Sequence, residues 1–230
     1  MEIGPALAYA LVACAVMLAV GFPIHEWSHA MAAWRLGDST ARWQGRLSLD
    51  PRVHLDPTGA ILLVVSTLLS GGQLMFGYAR PTPVNPANLR DGRRGEALVA
   101  LAGPLSNLVM AALVAVPLRV GTELYISGAL GASASIVAIV LNIALFFVLV
   151  NLTLFVFNLL PVPPLDGWKV LLGLVPPREA YRLRMLEARY AQVIPFGFLL
   201  VILVLGPVIV SPIIWWLLRL LVGTPYLLPA

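Results

Sequence analysis

Five long stretches without a charged residue constrain the fold of this chain more than any other feature. They cover residues 3–24, 57–79, 97–118, 124–165 and 190–218. Each exceeds the roughly 20 residues that an α-helix needs to cross a bilayer. Only 11% of the 230 residues are charged, against about 25% in a soluble domain. The chain is therefore predicted to be a polytopic α-helical membrane protein, and a soluble fold, a disordered chain and a nucleic-acid binder are excluded.

These runs predict about four to six membrane segments in a single domain over residues 1–230. The fourth run holds one span, at about 132–158, together with connecting chain. The fifth run is interrupted by three prolines, so it predicts either one kinked span or a tight hairpin. We expect a core over about 5–175, followed by C-terminal amphipathic and membrane segments over 177–222. Within the latter, residues 177–191 predict a short amphipathic helix on the cytoplasmic face.

The distribution of positive charge predicts how the chain is oriented. Cytoplasmic loops of membrane proteins carry an excess of lysine and arginine. Residues 35–52 and 80–94 hold four arginines each, residues 168–190 hold five basic residues, and the loop 119–131 holds only one. The three basic segments are therefore predicted to face the cytoplasm.

Segment 58–77 conflicts with this orientation if it is an ordinary span, because it joins two basic loops that should lie on the same side. We therefore predict that it is re-entrant; the alternative is an ordinary span with four arginines outside. The next residues, 78–84, contain Pro81 and Pro83. Because a proline pushes the preceding residue out of the helical region and cannot donate within a sheet, they predict a small extended or β element at an edge.

The sequence HEWSH at residues 25–29 is an H-E-x-x-H motif at the end of the first apolar run. Residues four apart lie on the same face of a helix, so His25 and His29 can bind one metal ion. Glu26 lies beside them and can take a proton from a metal-activated water. The alternative is a polar helix end without function. Ionisable residues at the edge of a membrane segment favour the functional interpretation.

A catalytic zinc site needs a third protein ligand and one open position. Asp166, in the sequence NLLPVPPLDG at 158–167, is the best candidate because it is the only acid between Glu123 and Glu179. Its alternative role is a helix N-cap. His54 is the rival ligand.

Together these motifs resemble the site-2 protease family of intramembrane zinc metalloproteases. Four blocks carry the resemblance: HEWSH at 25–29, RLSLDPRVHLDPTG at 46–59, GYARPTPVNP through AGPLSN at 77–107, and NLLPVPPLDG at 158–167. The resemblance implies one Zn²⁺ held by His25, His29 and Asp166, with Glu26 as general base. It also implies extended segments near the site that present the substrate as a strand.

The chain is similar to a minimal member of that family, without the PDZ or nucleotide-sensing domains that many members carry, and this fits a prokaryotic inner membrane. The resemblance extends to Asn107, in the sequence GPLSN, and to Asn158. Their amides could hold the substrate backbone or a developing oxyanion; the alternative is a hydrogen bond between helices. We assign Asn142 and Asn151 to packing.

His54 is interpreted as a residue that supports a metal ligand or orders a loop, with a plain interfacial histidine as the alternative. The resemblance implies a zinc endopeptidase that cleaves transmembrane segments of membrane proteins within the lipid bilayer. The alternatives are a non-catalytic membrane scaffold that binds transmembrane helices and a zinc transporter. The presence of Glu26 argues against the scaffold, and the lack of further acids or histidines in the apolar runs argues against the transporter.

Overall fold

The computed structural model describes residues 4–72, 75–129, 134–194 and 206–223, and helices dominate them. Three helical stretches are long and apolar enough to cross a membrane, Leu7–Arg35, Arg93–Ile126 and Ser135–Asn158, and two apolar helices, Pro57–Leu69 and Val208–Val222, are shorter. The prediction of a helical membrane protein is confirmed. The count of four to six segments stays a prediction, and the choice between a kinked span and a hairpin falls partly on residues outside the described ones.

We number the helices in chain order. They are α1 (Pro5–Val16), α2 (Phe22–Arg35), α3 (Thr40–Trp43), α4 (Pro51–His54), α5 (Pro57–Leu69), α6 (Arg93–Ile126), α7 (Ala134–Asn158), α8 (Asp166–Leu174), α9 (Pro177–Arg189) and α10 (Ser211–Val222).

A π-helical turn, Met17–Gly21, joins α1 to α2 without a break in the helix. The wider turn brings the Met17 side chain back against Gly21, where a Cβ atom would overlap the Met17 thioether. Met17 is only 1% exposed. Turns of this kind are rare and frequently lie at functional sites. Here the turn lies directly before the helix that carries the H-E-x-x-H motif.

The largest apolar cluster lies between α6, α7 and α10. Small residues of α6, Ala111 and Ala115, let the backbone of α7 approach closely, and Val148 and Leu152 of α7 fill the space beside them. Small residues at helix interfaces are typical of packing within membranes. This contact fixes the rotation of α7 relative to α6, which matters for the polar residues that the two helices share.

The segment predicted to be re-entrant folds back on itself. Helix α5 has 13 residues, about 20 Å of rise, which is shorter than a bilayer core of about 30 Å. The returning chain lies directly against the helix, because a Cβ atom on Gly77 would come within 2.7 Å of the Gly59 carbonyl oxygen. At its end the Arg80 N–H donates to the His54 carbonyl at 2.8 Å. The two ends of the segment therefore lie close together; that the segment is re-entrant in a membrane stays a prediction.

Residues 75–85 follow this turn as non-helical chain, and no strand is assigned among the described residues, so the β element stays a prediction. The far end of this chain is tied to Asp38, which is fully buried. The Asp38 carboxylate accepts from the Asn85 N–H at 2.7 Å and from the Asn88 amide at 3.0 Å. The chain is thus held at both ends beside α2.

The predicted amphipathic helix is present as α9, over Pro177–Arg189. Its position on the cytoplasmic face stays a prediction. Two polar contacts connect it to the rest of the molecule. Arg184 forms an ion pair with Glu96 of α6, and the Trp168 indole N–H of α8 donates to Glu187 at 2.7 Å.

Candidate metal centre

The two histidines of the motif point at each other from successive turns of α2. Their Nε2 atoms lie 3.1 Å apart, and both residues are buried, with 8% and 7% of their surface exposed. This is the arrangement that the four-residue spacing predicts. Two facing Nε2 atoms are two of the ligands that a metal ion needs.

Asp166 supplies the third donor. Its Oδ2 atom lies 3.3 Å from His25 Nε2 and 3.2 Å from His29 Nε2, and the three ligand atoms all lie within 4.8 Å of one another. Helix α8 begins at Asp166 with Leu165 in the cap position, so the N-cap alternative for Asp166 is not what the structure shows. The rival ligand, His54, is not a member of this cluster among the described residues.

The local chain explains how Asp166 comes to face the histidines. A Cβ atom on Gly167 would overlap the Leu159 carbonyl, so this turn is closed by backbone packed on backbone. The Asp166 Oδ2 atom faces both imidazoles, and a deprotonated carboxylate is the form in which an aspartate binds a metal.

The site has the space and the donors that zinc requires. Zinc in catalytic sites is typically held by three nitrogen or carboxylate ligands, with a fourth position open. Gly103 of α6 lies against the cluster: a Cβ atom there would overlap His29 Nε2 and lie 2.7 Å from His25 Nε2. Only a glycine at this position leaves room for both imidazole rings. The residues present therefore fit a zinc ion held by His25, His29 and Asp166.

The outer nitrogens of both imidazoles are held by hydrogen bonds to α6. His29 Nδ1 lies 2.7 Å from the Val99 carbonyl oxygen. A carbonyl only accepts, so Nδ1 carries the proton and the Nε2 lone pair is free for a metal. His25 Nδ1 lies 2.6 Å from Asn107 Oδ1. Partners of this kind orient the ring of a metal-binding histidine.

Glu26 is held by the chain that follows the re-entrant segment. Its Oε2 atom accepts from the Thr82 N–H at 2.8 Å, and its backbone carbonyl accepts from the Thr82 hydroxyl at 3.0 Å. Glu26 is buried, with 8% of its surface exposed. The carboxylate therefore lies in a fixed position beside the metal ligands.

A cavity of about 500 Å³ joins these groups. Its walls come from α2, from residues 76–84, and from the end of α7, including Asn158. The Asn158 side chain makes no hydrogen bond to any residue of the described ranges, and it lines this cavity. Glu96 and Lys169 line the same cavity.

The other predicted site residues have different surroundings. Asn107 is fully buried, and both ends of its amide are engaged, with Oδ1 at His25 and Nδ2 3.2 Å from Asn151 Oδ1. The geometry favours the alternative, a hydrogen bond between helices, over an oxyanion role. His54 is fully buried and its Nε2 lies 2.6 Å from the Ser48 carbonyl, which is the geometry of a loop-ordering residue.

Three residues that support the site were not predicted from the sequence to do so. Thr82 donates to Glu26, and Asp38 accepts from the chain that carries Thr82. Asn151 accepts from Asn107, which is the partner of His25. For Thr82 the sequence did contain a signal: between Pro81 and Pro83 it is the only residue with a backbone N–H. For Asn151 and Asp38 no local pattern names the partner.

One family model and several known proteins are similar to this chain. A model described as Peptidase family M50 matches residues 13–205. The chain is 37% identical over 203 residues to the candidate zinc metalloprotease YwhC of Bacillus subtilis, covering 87% of this chain and 83% of that protein. It is 34% identical over 152 residues to the candidate zinc metalloprotease Rip2 of Mycobacterium tuberculosis, covering 66% of this chain and 53% of that one. No solved structure matches the chain.

Proposed function

The chain belongs to peptidase family M50, the site-2 protease family, and is a zinc metalloendopeptidase, and from this premise we propose that it cleaves the transmembrane segments of membrane proteins. The observation that carries the proposal is the cluster of His25, His29 and Asp166 beside Glu26, inside an apolar helical bundle. Helix α2, which carries both histidines, and α6, which packs against them, belong to candidate membrane spans.

The depth of the cluster supports a site within the membrane. His25 precedes Arg35 by ten residues on one helix, and Gly103 follows Arg93 by ten residues on another. Ten helical residues rise about 15 Å, roughly half the thickness of a bilayer core. His25 and Gly103 thus each lie about 15 Å from the arginine at the end of their own helix. On this basis the site opens toward the cytoplasm of a prokaryotic cell.

The residues of the site have the following roles in this proposal. Zinc, when bound, polarises a carbonyl oxygen and lowers the pKa of a water toward 7. Glu26 accepts a proton from the attacking water and later returns it to the leaving amine. Asn158 donates to the carbonyl oxygen of the scissile bond as negative charge develops there.

The chain at 76–84 is the proposed surface for the substrate. It lines the cavity and is not helical. A transmembrane helix hides its peptide bonds in internal hydrogen bonds, so it must unwind before cleavage. An extended segment beside the metal could hold the unwound stretch by strand addition.

The test measures zinc content by mass spectrometry and cleavage of a helical membrane substrate, in detergent-purified wild type and two variants. We expect Glu26→Gln to keep zinc and lose cleavage, and Asp166→Ala to lose zinc. Matched controls are Glu123→Gln and Asp50→Ala, which change carboxylates outside the site and should behave as wild type. Cleavage by Glu26→Gln at the wild-type rate would exclude Glu26 as the base. Zinc without cleavage in wild type would favour the scaffold, and no zinc in wild type would exclude the mechanism.

A further inference from the structure

We propose that Asn151 of α7 is a positioning residue that fixes which nitrogen of His25 is free to bind the metal. The inference rests on the proposed role of His25 as a ligand. It concerns a chain of three side chains that run from α7 through α6 to α2: Asn151, Asn107 and His25. The first two are fully buried, and His25 is 8% exposed, so water does not compete for these hydrogen bonds.

The contact between His25 and Asn107 is ambiguous when it is considered alone. An asparagine amide offers an acceptor on one side and a donor on the other, and a half turn about its last bond exchanges them. With Oδ1 facing His25, the imidazole carries its proton on Nδ1 and presents a lone pair at Nε2. With the amide NH₂ facing His25, Nδ1 becomes the acceptor. Nε2, which faces Asp166 and His29, would then carry the proton and could not bind a metal.

Asn151 removes this ambiguity because one of its own partners can only accept. Its Nδ2 atom lies 2.9 Å from the backbone carbonyl oxygen of Phe147, so the NH₂ group must face that carbonyl. The same nitrogen lies 3.8 Å from Met17 Sδ in the π-helical turn, which is also an acceptor. The oxygen of Asn151 is therefore left to face Asn107.

The direction of every later bond follows from this one. Because Asn151 Oδ1 is an acceptor, the Asn107 Nδ2 atom 3.2 Å away must donate to it. The Asn107 oxygen then faces His25, and His25 Nδ1 must be the donor across 2.6 Å. A backbone carbonyl of α7 thus determines the tautomer of a metal ligand on α2. For His29, the Val99 carbonyl determines the tautomer directly, because it accepts from Nδ1.

The first experiment replaces Asn151 by leucine, which has a similar volume and neither donates nor accepts. Without its partner Asn107 is free to rotate, and we expect zinc affinity to fall about 10- to 100-fold, as is typical when a residue that orients a metal-binding histidine is lost. The control is Asn142→Leu. Asn142 is on the same helix and makes the same bond to the carbonyl four residues earlier, at 2.9 Å from Ala138, so it should keep wild-type affinity.

The readouts are the dissociation constant for zinc, by competition with a chromophoric chelator, and the histidine tautomers of the metal-free protein, by ¹⁵N NMR with selective labelling of the three histidines. We expect His25 Nδ1 to carry a proton in wild type, and to lack it in a substantial fraction of Asn151→Leu. Unchanged affinity and tautomer in Asn151→Leu, or an equal loss in Asn142→Leu, would overturn the inference. If wild type binds no zinc but the tautomers change as expected, the proposed function fails and the inference stands.

A second variant keeps the inference testable if Asn151→Leu folds poorly. In Asn107→Asp both side-chain oxygens accept, so His25 Nδ1 must donate whichever way the side chain is turned. In that background Asn151→Leu should cause no further loss of zinc affinity. An equal loss in both backgrounds would show that Asn151 acts through general packing, and would overturn the inference.

Discussion

Gly103 is the residue whose missing side chain makes room for the two imidazole rings of the candidate metal centre. We predict that Gly103→Ala folds but binds less than a tenth of the zinc that wild type binds, because the new methyl group would overlap His29 Nε2. The measurement is zinc per chain in the purified protein. Gly121→Ala is the control on the same helix, since its methyl group would meet only the mobile end of Leu141. Full zinc content in Gly103→Ala would mean that the ion does not lie among these three ligands.

Asp38 is a charged residue that stabilises the fold rather than the chemistry. Burial by itself would raise the pKa of its carboxyl, but hydrogen bonds from Thr40, Asn88 and Asn85 lower it below the ordinary value. Because the pKa of Asp38 is lower in the folded protein than in the unfolded chain, its carboxylate stabilises the fold fully at pH 7. This stabilisation begins to weaken near the unfolded pKa of about 3.9 and is lost as the pH falls through the folded pKa.

We therefore predict that Asp38→Asn lowers the free energy of unfolding by about 2 kcal/mol at pH 7, the usual contribution of hydrogen bonds to a charged acceptor. The difference from wild type should shrink as the pH falls below about 4. Thermal unfolding at a series of pH values measures both. Asp50→Asn, whose partner Arg52 is exposed, is the control and should change stability much less. A difference that persists undiminished at low pH would contradict the role of the charge.

At the scale of residues, the sequence predicts contacts that local geometry determines and misses those that depend on packing. The facing of His25 and His29 follows from their spacing on a helix, and the pairing with Asp166 followed from the resemblance. Asn151 was assigned to packing, because only the rotation of α7 against α6 brings it to Asn107. The same limit explains why the contacts of Asp38 with Asn85 and Asn88 were not predicted, since these partners are 47 and 50 residues away.

At the scale of elements, the chain at 78–84 connects the re-entrant segment to the site through Thr82. We predict that Thr82→Pro, which removes the N–H that holds Glu26, lowers kcat about 10- to 100-fold, the usual effect of a misplaced catalytic group. Zinc content should not change, because the metal ligands are untouched. Thr82→Val is the matched control, because it keeps the N–H and loses only the hydroxyl. Equal losses in both variants would assign the effect to the hydroxyl or to general disturbance.

Which elements could be predicted depended on whether their cause is local. Helix α7 and the amphipathic helix α9 follow from apolar length and charge pattern, and both are present. The fold-back of segment 58–77 followed from counting charged loops, and its close packing requires Gly59 and Gly77. The π-helical turn Met17–Gly21 could not be predicted, since nothing in its sequence, MLAVG, distinguishes it from an ordinary helix.

At the scale of the whole molecule, the metal ligands and the nearest arginines lie at different levels of an apolar bundle. Arg35 ends α2 and Arg93 begins α6, and along α2 His25 lies about 15 Å and His29 about 9 Å from Arg35 by helical rise. With the proposed orientation, water would reach the site from the side of the arginines. The orientation would then also determine on which side of the membrane a cleaved substrate is released.

Labelling of single cysteines tests this orientation, since the only native cysteine, Cys14, is 1% exposed and can be replaced by serine. We predict that Trp43→Cys and Asp91→Cys, which flank the re-entrant segment, react with a membrane-impermeant maleimide from the cytoplasmic side. Ser127→Cys, at the opposite end of α6, should react only from the other side. Inside-out and right-side-out vesicles give the two measurements.

If residues 43 and 91 react from opposite sides, segment 58–77 is an ordinary span and four arginines lie outside. If 43 and 91 react together but from the outer side, the fold-back stands and the cytoplasmic orientation of the site is wrong, because the arginine level would then face away from the anionic leaflet that attracts it.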